Sequence, residues 1–216
     1  VNSRTLGCPI RSDFAGTDAA EGRRRFGLDA ERPVLLVTGA SQGARSVNET
    51  LRLVWPEFVG EHAEWQLLHL TGAAEECSTR VAYEQAGVPA TVLAFTREMA
   101  HALAAADVVI SRAGASTLAE LTALGKPAIL LPYPYHRDRH QHANAQVLVD
   151  AGAALMIEDE RDGALNRAPV REALEQLADA PERAKMAAAA EKLGRLRAAE
   201  DVAGWMSTGE LPANVR

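Results

Sequence analysis

The sequence predicts an α/β fold, a doubly wound, Rossmann-like parallel sheet, on three observations. Six short apolar runs, at 34–38, 66–71, 91–94, 108–111, 128–131 and 154–157, alternate with helical spacing at 46–58, 75–86, 99–105, 116–124 and 141–150. Strand–helix alternation of this kind implies parallel strands with right-handed crossovers and helices on both faces. No repeat of roughly 20 to 50 residues recurs, which argues against a solenoid. Finally, small-residue or polar loops follow three of the runs, at the strand ends where open sheets bind ligands.

In chain order, residues 1–30 read as a lead-in or linker segment. They carry Gly7, Pro9, Gly16, Gly22 and Gly27 around the basic run Arg23, Arg24 and Arg25, a composition better suited to a connector than to a packed core. Arg11, in GCPIR, is the one residue there marked as a candidate, against the ordinary reading of a solvated surface arginine. Residues 31–200 form the expected ligand-binding domain. Within it the helical pattern after Asn166 is alanine-rich and continues through Arg197, and residues 201–216 follow as a tail.

Three loops carry the chemistry. TGASQGARSVN, at 38–48, links the first strand to a helix; Gly39 and Gly43 would let backbone approach a ligand, with Ser41 and Gln42 as hydrogen-bonding groups. It is neither a dinucleotide fingerprint nor a P-loop, and alone it reads equally as a tight βα turn. Gly125-Lys126 is no P-loop either, because Pro127 follows. DVVISRAGASTLAE, at 107–120, is a buried strand, a small-residue turn and a helix start, whose open N–H groups favour phosphate or carboxylate. Ser116 and Thr117 could hold a phosphate there and Glu120 a ribose diol, although Thr117 to Glu120 also fits a capping box. PYPYHRDRHQHANAQ, at 132–146, offers Asp138, His140, Gln141 and Asn144 for sugar hydroxyls, with a metal site at His136, Asp138, His140 and His142 as the lesser alternative.

The 216 residues, 47% hydrophobic and 24% charged, suffice for one substantial core, and the net charge of -6 argues against a nucleic-acid partner. No apolar run approaches the roughly 20 residues of a membrane span, and the first ten residues lack a signal-peptide core, so a cytosolic location is expected. Cys8 and Cys77 lie far apart without metal or redox spacing and are expected as structural thiols. His62, His69 and His101 are expected at the surface or in packing. The chain begins without an initiator Met, as a processed or truncated chain would.

The set GCPIR, TGASQGARSVN, FTREMAHALAAADVVISRAGASTLAE and HRDRHQHANA, in that order and spacing, resembles the C-terminal half of the MurG-type glycosyltransferases. The resemblance runs from about Gly7 to Ile157 and implies one half of a GT-B fold, binding the donor UDP-GlcNAc. It implies transfer of N-acetylglucosamine to lipid I, making lipid II for peptidoglycan, without a metal or other cofactor. By position, Arg11 resembles an arginine near the nucleotide, and Ser41 with Gln42 a diphosphate loop. Phe95, Thr96 and Met99 match the stretch lining the uracil, with Thr96 in place of a more usual aliphatic residue. Ser116 and Thr117 match a phosphate contact, Glu120 the ribose ligand, and His140 with Gln141 a sugar-reading pair that is commonly Gln-Gln.

The resemblance further implies that the general base, the lipid I site and the membrane contact belong to an N-terminal half not found in these residues. No catalytic base is assigned in this chain. Trp205, Met206 and Leu211 in the tail are candidates for contact with that half. Two other readings stay open: a catalytic subunit of another split UDP-sugar transferase, and a non-catalytic nucleotide-sugar-binding module.

Overall fold

A computed structural model describes residues 6–39, 43–135 and 138–209. Six parallel strands, β1 (Val34–Thr38), β2 (Gln66–Leu70), β3 (Thr91–Leu93), β4 (Val108–Ser111), β5 (Ala128–Leu130) and β6 (Ala154–Met156), form one sheet in the order β3-β2-β1-β4-β5-β6. The expected runs are each present within a residue or so of their limits. The chain winds outward from β1 to β3 and then from β4 to β6 in the opposite direction. That reversal leaves a crevice beyond the carboxyl ends of β1 and β4.

The sheet is buried on both faces because successive side chains point to opposite sides. Leu35 and Val37 of β1 join Val108 and Ile110 of β4 in a core closed by Trp55, Phe58 and Leu174. These come from α2 (Arg45–Glu61) and α7 (Gly163–Ala178). Val34, Leu36 and Val109 face the other way, against Leu103, Leu118, Leu121 and Leu148. That layer contains α4 (Met99–Ala105), α5 (Ala115–Ala123) and α6 (His140–Asp150). The remaining helix over the sheet is α3 (Glu76–Gln85).

Two expectations are corrected here. Residues expected as a connector are packed: Phe14 is 1% exposed in the α4/α5 layer, and α1 (Ala19–Arg25) lies across α4. Gly22 makes that crossing possible, since a Cβ there would stand 2.3 Å from the His101 carbonyl oxygen. Arg23 then donates to Asp107 at 2.9 Å, and the same carboxylate oxygen accepts from the N–H of Val34 at 2.8 Å, tying α1 to the first strand. The basic run that suggested a linker is thus in part an anchor.

The second correction concerns the alanine-rich stretch, which is broken rather than continuous. Asp179 ends α7 and also caps α8 (Ala180–Leu193), accepting from the N–H of Glu182 at 3.4 Å, and Pro181 suits only a first turn. After Gly194, α9 (Ala198–Thr208) leaves Trp205 and Met206 45% and 77% exposed; Leu211 lies outside the described residues. Lys126, beyond α5, donates to the carbonyls of Ala104 and Ala106 at 2.9 Å each, and burial draws its ammonium down to about 8. It closes the end of α4 and is not a phosphate ligand of a P-loop.

Candidate active site

The helices α2 and α5 begin at the crevice, and among the described residues neither is closed by a side chain. α2 has Ala44 as its N-cap and α5 has Gly114, with no side-chain cap bond and no acidic residue in either first turn. Asp18, Asp162 and Asp179 cap α1, α7 and α8, whereas α3, α4, α6 and α9 share the uncapped start of α2 and α5. Among the described residues no side chain therefore closes the first-turn N–H groups of α2 and α5, which stand at the positive ends of two helix dipoles. Gly43 brings the first of them in: its φ is +75°, and a Cβ there would lie 2.2 Å from the Thr71 carbonyl oxygen at the end of β2. Ser41 and Gln42 of the same loop lie outside the described residues.

Between these helix starts opens a cleft of about 680 Å3, lined among others by Gly43, Ser46, Arg112, Thr117, Tyr133 and Gln141. Its floor is a closed polar network. Arg112 donates to Asp159 at 2.6 Å, to Ser46 Oγ at 3.0 Å and to the Leu131 carbonyl at 2.9 Å. Ser46 donates in turn to Asp159 at 2.6 Å, and Asn166 and the N–H of Arg161 reach the other Asp159 oxygen at 2.8 Å each. Burial pushes the Asp159 carboxyl up, but the hydrogen bonds from Ser46, Asn166 and Arg112 outweigh it and hold the group below the ordinary aspartate value.

A second group lies around Phe14. The Arg11 guanidinium stands over the Phe14 ring at 5.6 Å and pairs with Asp13 at 3.5 Å. Phe14 is packed in the same layer as Leu118 and Leu121 of α5, a layer against which Met99 also packs, and Glu120 of α5 feels the charges of Arg11 and Asp13. Burial and the Asp13 charge raise the Glu120 carboxyl above its ordinary value, while Arg11 pulls the other way. Among the described residues Glu120 makes no hydrogen bond or ion pair. The capping-box alternative is overturned: Thr117 is the third residue of α5, which places Glu120 a full turn past the helix start.

Of the expected site residues, Thr117 and Gln141 line the cleft, Arg11 lies over Phe14 and acts electrostatically on Glu120, and Met99 packs against the same core layer as Phe14. Ser116 follows the α5 start and is exposed; neither its hydroxyl nor that of Thr117 is bonded within the described residues. Phe95 is 61% exposed beyond β3, and Thr96 Oγ1 accepts from the N–H of Glu98 at 3.0 Å, fixing the turn into α4. Gln141 Oε1 accepts from the N–H groups of Ala113 and Tyr133, at 3.1 and 2.9 Å. Its carbonyl thus joins the loops after β4 and β5, leaving the amide NH2 for a ligand. Asn144 donates to the Ala113 carbonyl at 3.3 Å.

His140 opens α6 with Nδ1 2.9 Å from Asp138 Oδ1, and His142 turns to Glu158 at 2.8 Å. His136 lies outside the described residues, and among those described no three His, Cys, Asp or Glu side chains converge on a metal-sized site. His69 is fully buried between Tyr83 and Asn48, at 3.0 Å from each, and burial draws it down to about 3, so it is a neutral core residue. Sequence reasoning missed Arg112 and Asp159. A charged residue directly after a buried strand was a usable sign for Arg112; Asp159 sits in the acidic run EDERD and carries none.

Residues 34–202 match the glycosyltransferase family 28 C-terminal domain. The UDP-N-acetylglucosamine--N-acetylmuramyl-(pentapeptide) pyrophosphoryl-undecaprenol N-acetylglucosamine transferase of Prosthecochloris aestuarii is 42% identical over 201 residues, covering 92% of this chain and 52% of its own length. The Anaeromyxobacter dehalogenans protein of that name is 43% identical, over 92% of this chain and 50% of its length. The chain spans about half the length of the curated relatives it matches. The crystal structure of Acinetobacter baumannii MurG superposes with a TM-score of 0.74 at 26% identity, covering 93% of this chain and 57% of that one. WaaG, a glycosyltransferase of lipopolysaccharide biosynthesis, shares the fold with a TM-score of 0.63 at 19% identity, over 94% and 55% of the two chains.

Proposed function

The chain belongs to glycosyltransferase family 28 as its C-terminal domain, and from that premise we propose that it is the UDP-GlcNAc-binding half of an inverting N-acetylglucosaminyltransferase that converts lipid I to lipid II. The observation that carries the proposal is the pair of uncapped helix starts beyond β1 and β4, with Glu120 further along α5 and within electrostatic reach of Arg11. Open N–H groups at two dipole ends suit a diphosphate, and Thr117 and Ser116 add hydroxyl donors. Glu120 accepts from the ribose diol, and the 95–99 stretch borders the uracil. Gln141 offers its amide NH2 to the sugar and His140 lies next to it; Ser41 and Gln42 complete the diphosphate loop.

In the proposed reaction an acceptor hydroxyl attacks C1 of the sugar with inversion, the C1–O bond to the diphosphate breaks, and UDP departs. Negative charge grows on the departing phosphate. The two helix N-termini face that charge without reorganising, which is the form of electrostatic stabilisation that needs no metal. The acceptor's proton passes to a base in the N-terminal half, which the relatives' additional length would supply. No helix of the described residues is long and apolar enough to cross a membrane. The proposed place of the complete enzyme is the cytoplasmic membrane face, reached through that other half, which docks on a surface including Trp205 and Met206 of α9.

The test joins this chain to a family N-terminal half and follows transfer from UDP-GlcNAc, UDP-GalNAc and UDP-glucose to a lipid I analogue, with and without chelator. Chelator-insensitive transfer that prefers UDP-GlcNAc is the expected result. Donor binding without transfer in any pairing would make the chain a nucleotide-sugar-binding module, and transfer only to another acceptor would make it a subunit of a different enzyme.

A further inference from the structure

We infer that Asp159, which touches no part of the 680 Å3 cleft, is a positioning residue for the diphosphate: its buried carboxylate fixes the start of α2 against the loop that starts α5. The inference rests on the donor-site reading above. The Asp159 side chain is 0% exposed and that of Arg112 10%, so the carboxylate is closed off while the guanidinium shows only an edge to the cleft. Ser46 is the second residue of α2, and Arg112 stands two residues before Gly114, the N-cap of α5. Arg112, Asp159 and Ser46 close a triangle with edges of 2.6, 2.6 and 3.0 Å. The distance between the two helix starts is therefore set by side chains.

The rest of the network anchors that triangle to the sheet and to α7. Arg112 holds the Leu131 carbonyl after β5, while Asn166 of α7 and the N–H of Arg161 fill the second Asp159 oxygen. Each Asp159 oxygen accepts two hydrogen bonds, so a neutral amide there would lose acceptor capacity and set a donor against donors. Two helix termini act on one diphosphate only if both meet it at hydrogen-bonding distance, and a shift of a few tenths of an ångström at one end weakens the pair together. A monophosphate needs only one of them. Loss of Asp159 should therefore weaken binding of the diphosphate selectively.

The experiment is calorimetric titration of this chain, as wild type, Asp159→Asn and Ser46→Ala, with UDP and with UMP, alongside thermal unfolding of each. The expected result is about a tenfold loss of UDP affinity in Asp159→Asn and about threefold in Ser46→Ala, with UMP affinity changed less than about twofold in both. Ser46→Ala leaves the Arg112–Asp159 pair in place and carries the test if the other variant fails to fold. UDP and UMP falling together, UDP unchanged, or UDP bound more tightly because Arg112 is released would each overturn the inference. A wild-type chain that binds neither nucleotide would remove the donor reading and this inference with it, whereas wild-type binding that both variants retain removes this inference alone.

Discussion

The floor of the cleft and the group around Phe14 are built on opposite principles. On the floor, Ser46, Arg112, Asp159 and Asn166 are buried and bonded to one another, and Gly43 has no room for a side chain. In the other group, Glu120 has no bonded partner among the described residues, Ser116 is exposed, and Arg11 makes an exposed pair with Asp13 at 3.5 Å and lies over Phe14. The first region holds backbone donors in place and has little bonding capacity left over. The second keeps side-chain capacity open. A site that binds by preorganised backbone and reads by side chain would be divided in this way, so substitutions in the two regions should fail differently.

The largest effect is expected at Gly43→Ala. Its left-handed φ alone costs about 1–2 kcal/mol with a Cβ present, and overlap with the Thr71 carbonyl must also be relieved. Thermal unfolding should show the loss and calorimetry an at least tenfold weaker UDP affinity, a failure of fold and binding together. His69, beneath α2, should govern the acid limb of stability. Its folded value of about 3 lies below the ordinary 6.5, so as pH falls the unfolded chain takes a proton that the folded chain refuses. Wild type should lose about 2 kcal/mol on this account between pH 7 and pH 5. His69→Gln, followed by urea unfolding at both pH values, should remove most of that difference.

Glu120→Gln should separate the regions cleanly. Losing charge-assisted bonds to a ribose diol should weaken UDP binding about 10- to 100-fold, with 2′-deoxy-UDP affected less and the unfolding temperature essentially unchanged. The smallest effect is a displacement along the pH axis. Burial raises the Glu120 carboxyl, and binding needs the carboxylate, so UDP affinity should fall on acidification beginning above the ordinary glutamate range. Arg11 opposes that rise, so Arg11→Ala should move the fall to higher pH in calorimetry repeated across pH. An unmoved profile would mean that Arg11 does not act on Glu120.

The strands were legible because a parallel strand buried on both faces must read as a short apolar run, as Val108–Ser111 does. The helix starts at 38–48 and 107–120 were legible because glycine at a strand end has few other uses. Residues 1–30 were read as a connector because the packing of their described part depends on one close helix crossing at Gly22 and on an ion pair to Asp107, both remote in sequence. Thr117–Glu120 matched a capping box because the pattern is local, whereas the true start was set one turn earlier by the end of β4. Asp159 could not be read at all. Its side-chain partners lie 113, 47 and 7 residues away, and nothing in its acidic neighbourhood distinguishes it from Glu158 or Asp162.

The most direct measurement is a crystal structure of this chain with UDP-GlcNAc. The account predicts the diphosphate between the starts of α2 and α5, the ribose diol on Glu120 and the sugar toward Gln141. A nucleotide bound elsewhere, or lying reversed with its base in the cleft and its sugar beside Glu120, would contradict it.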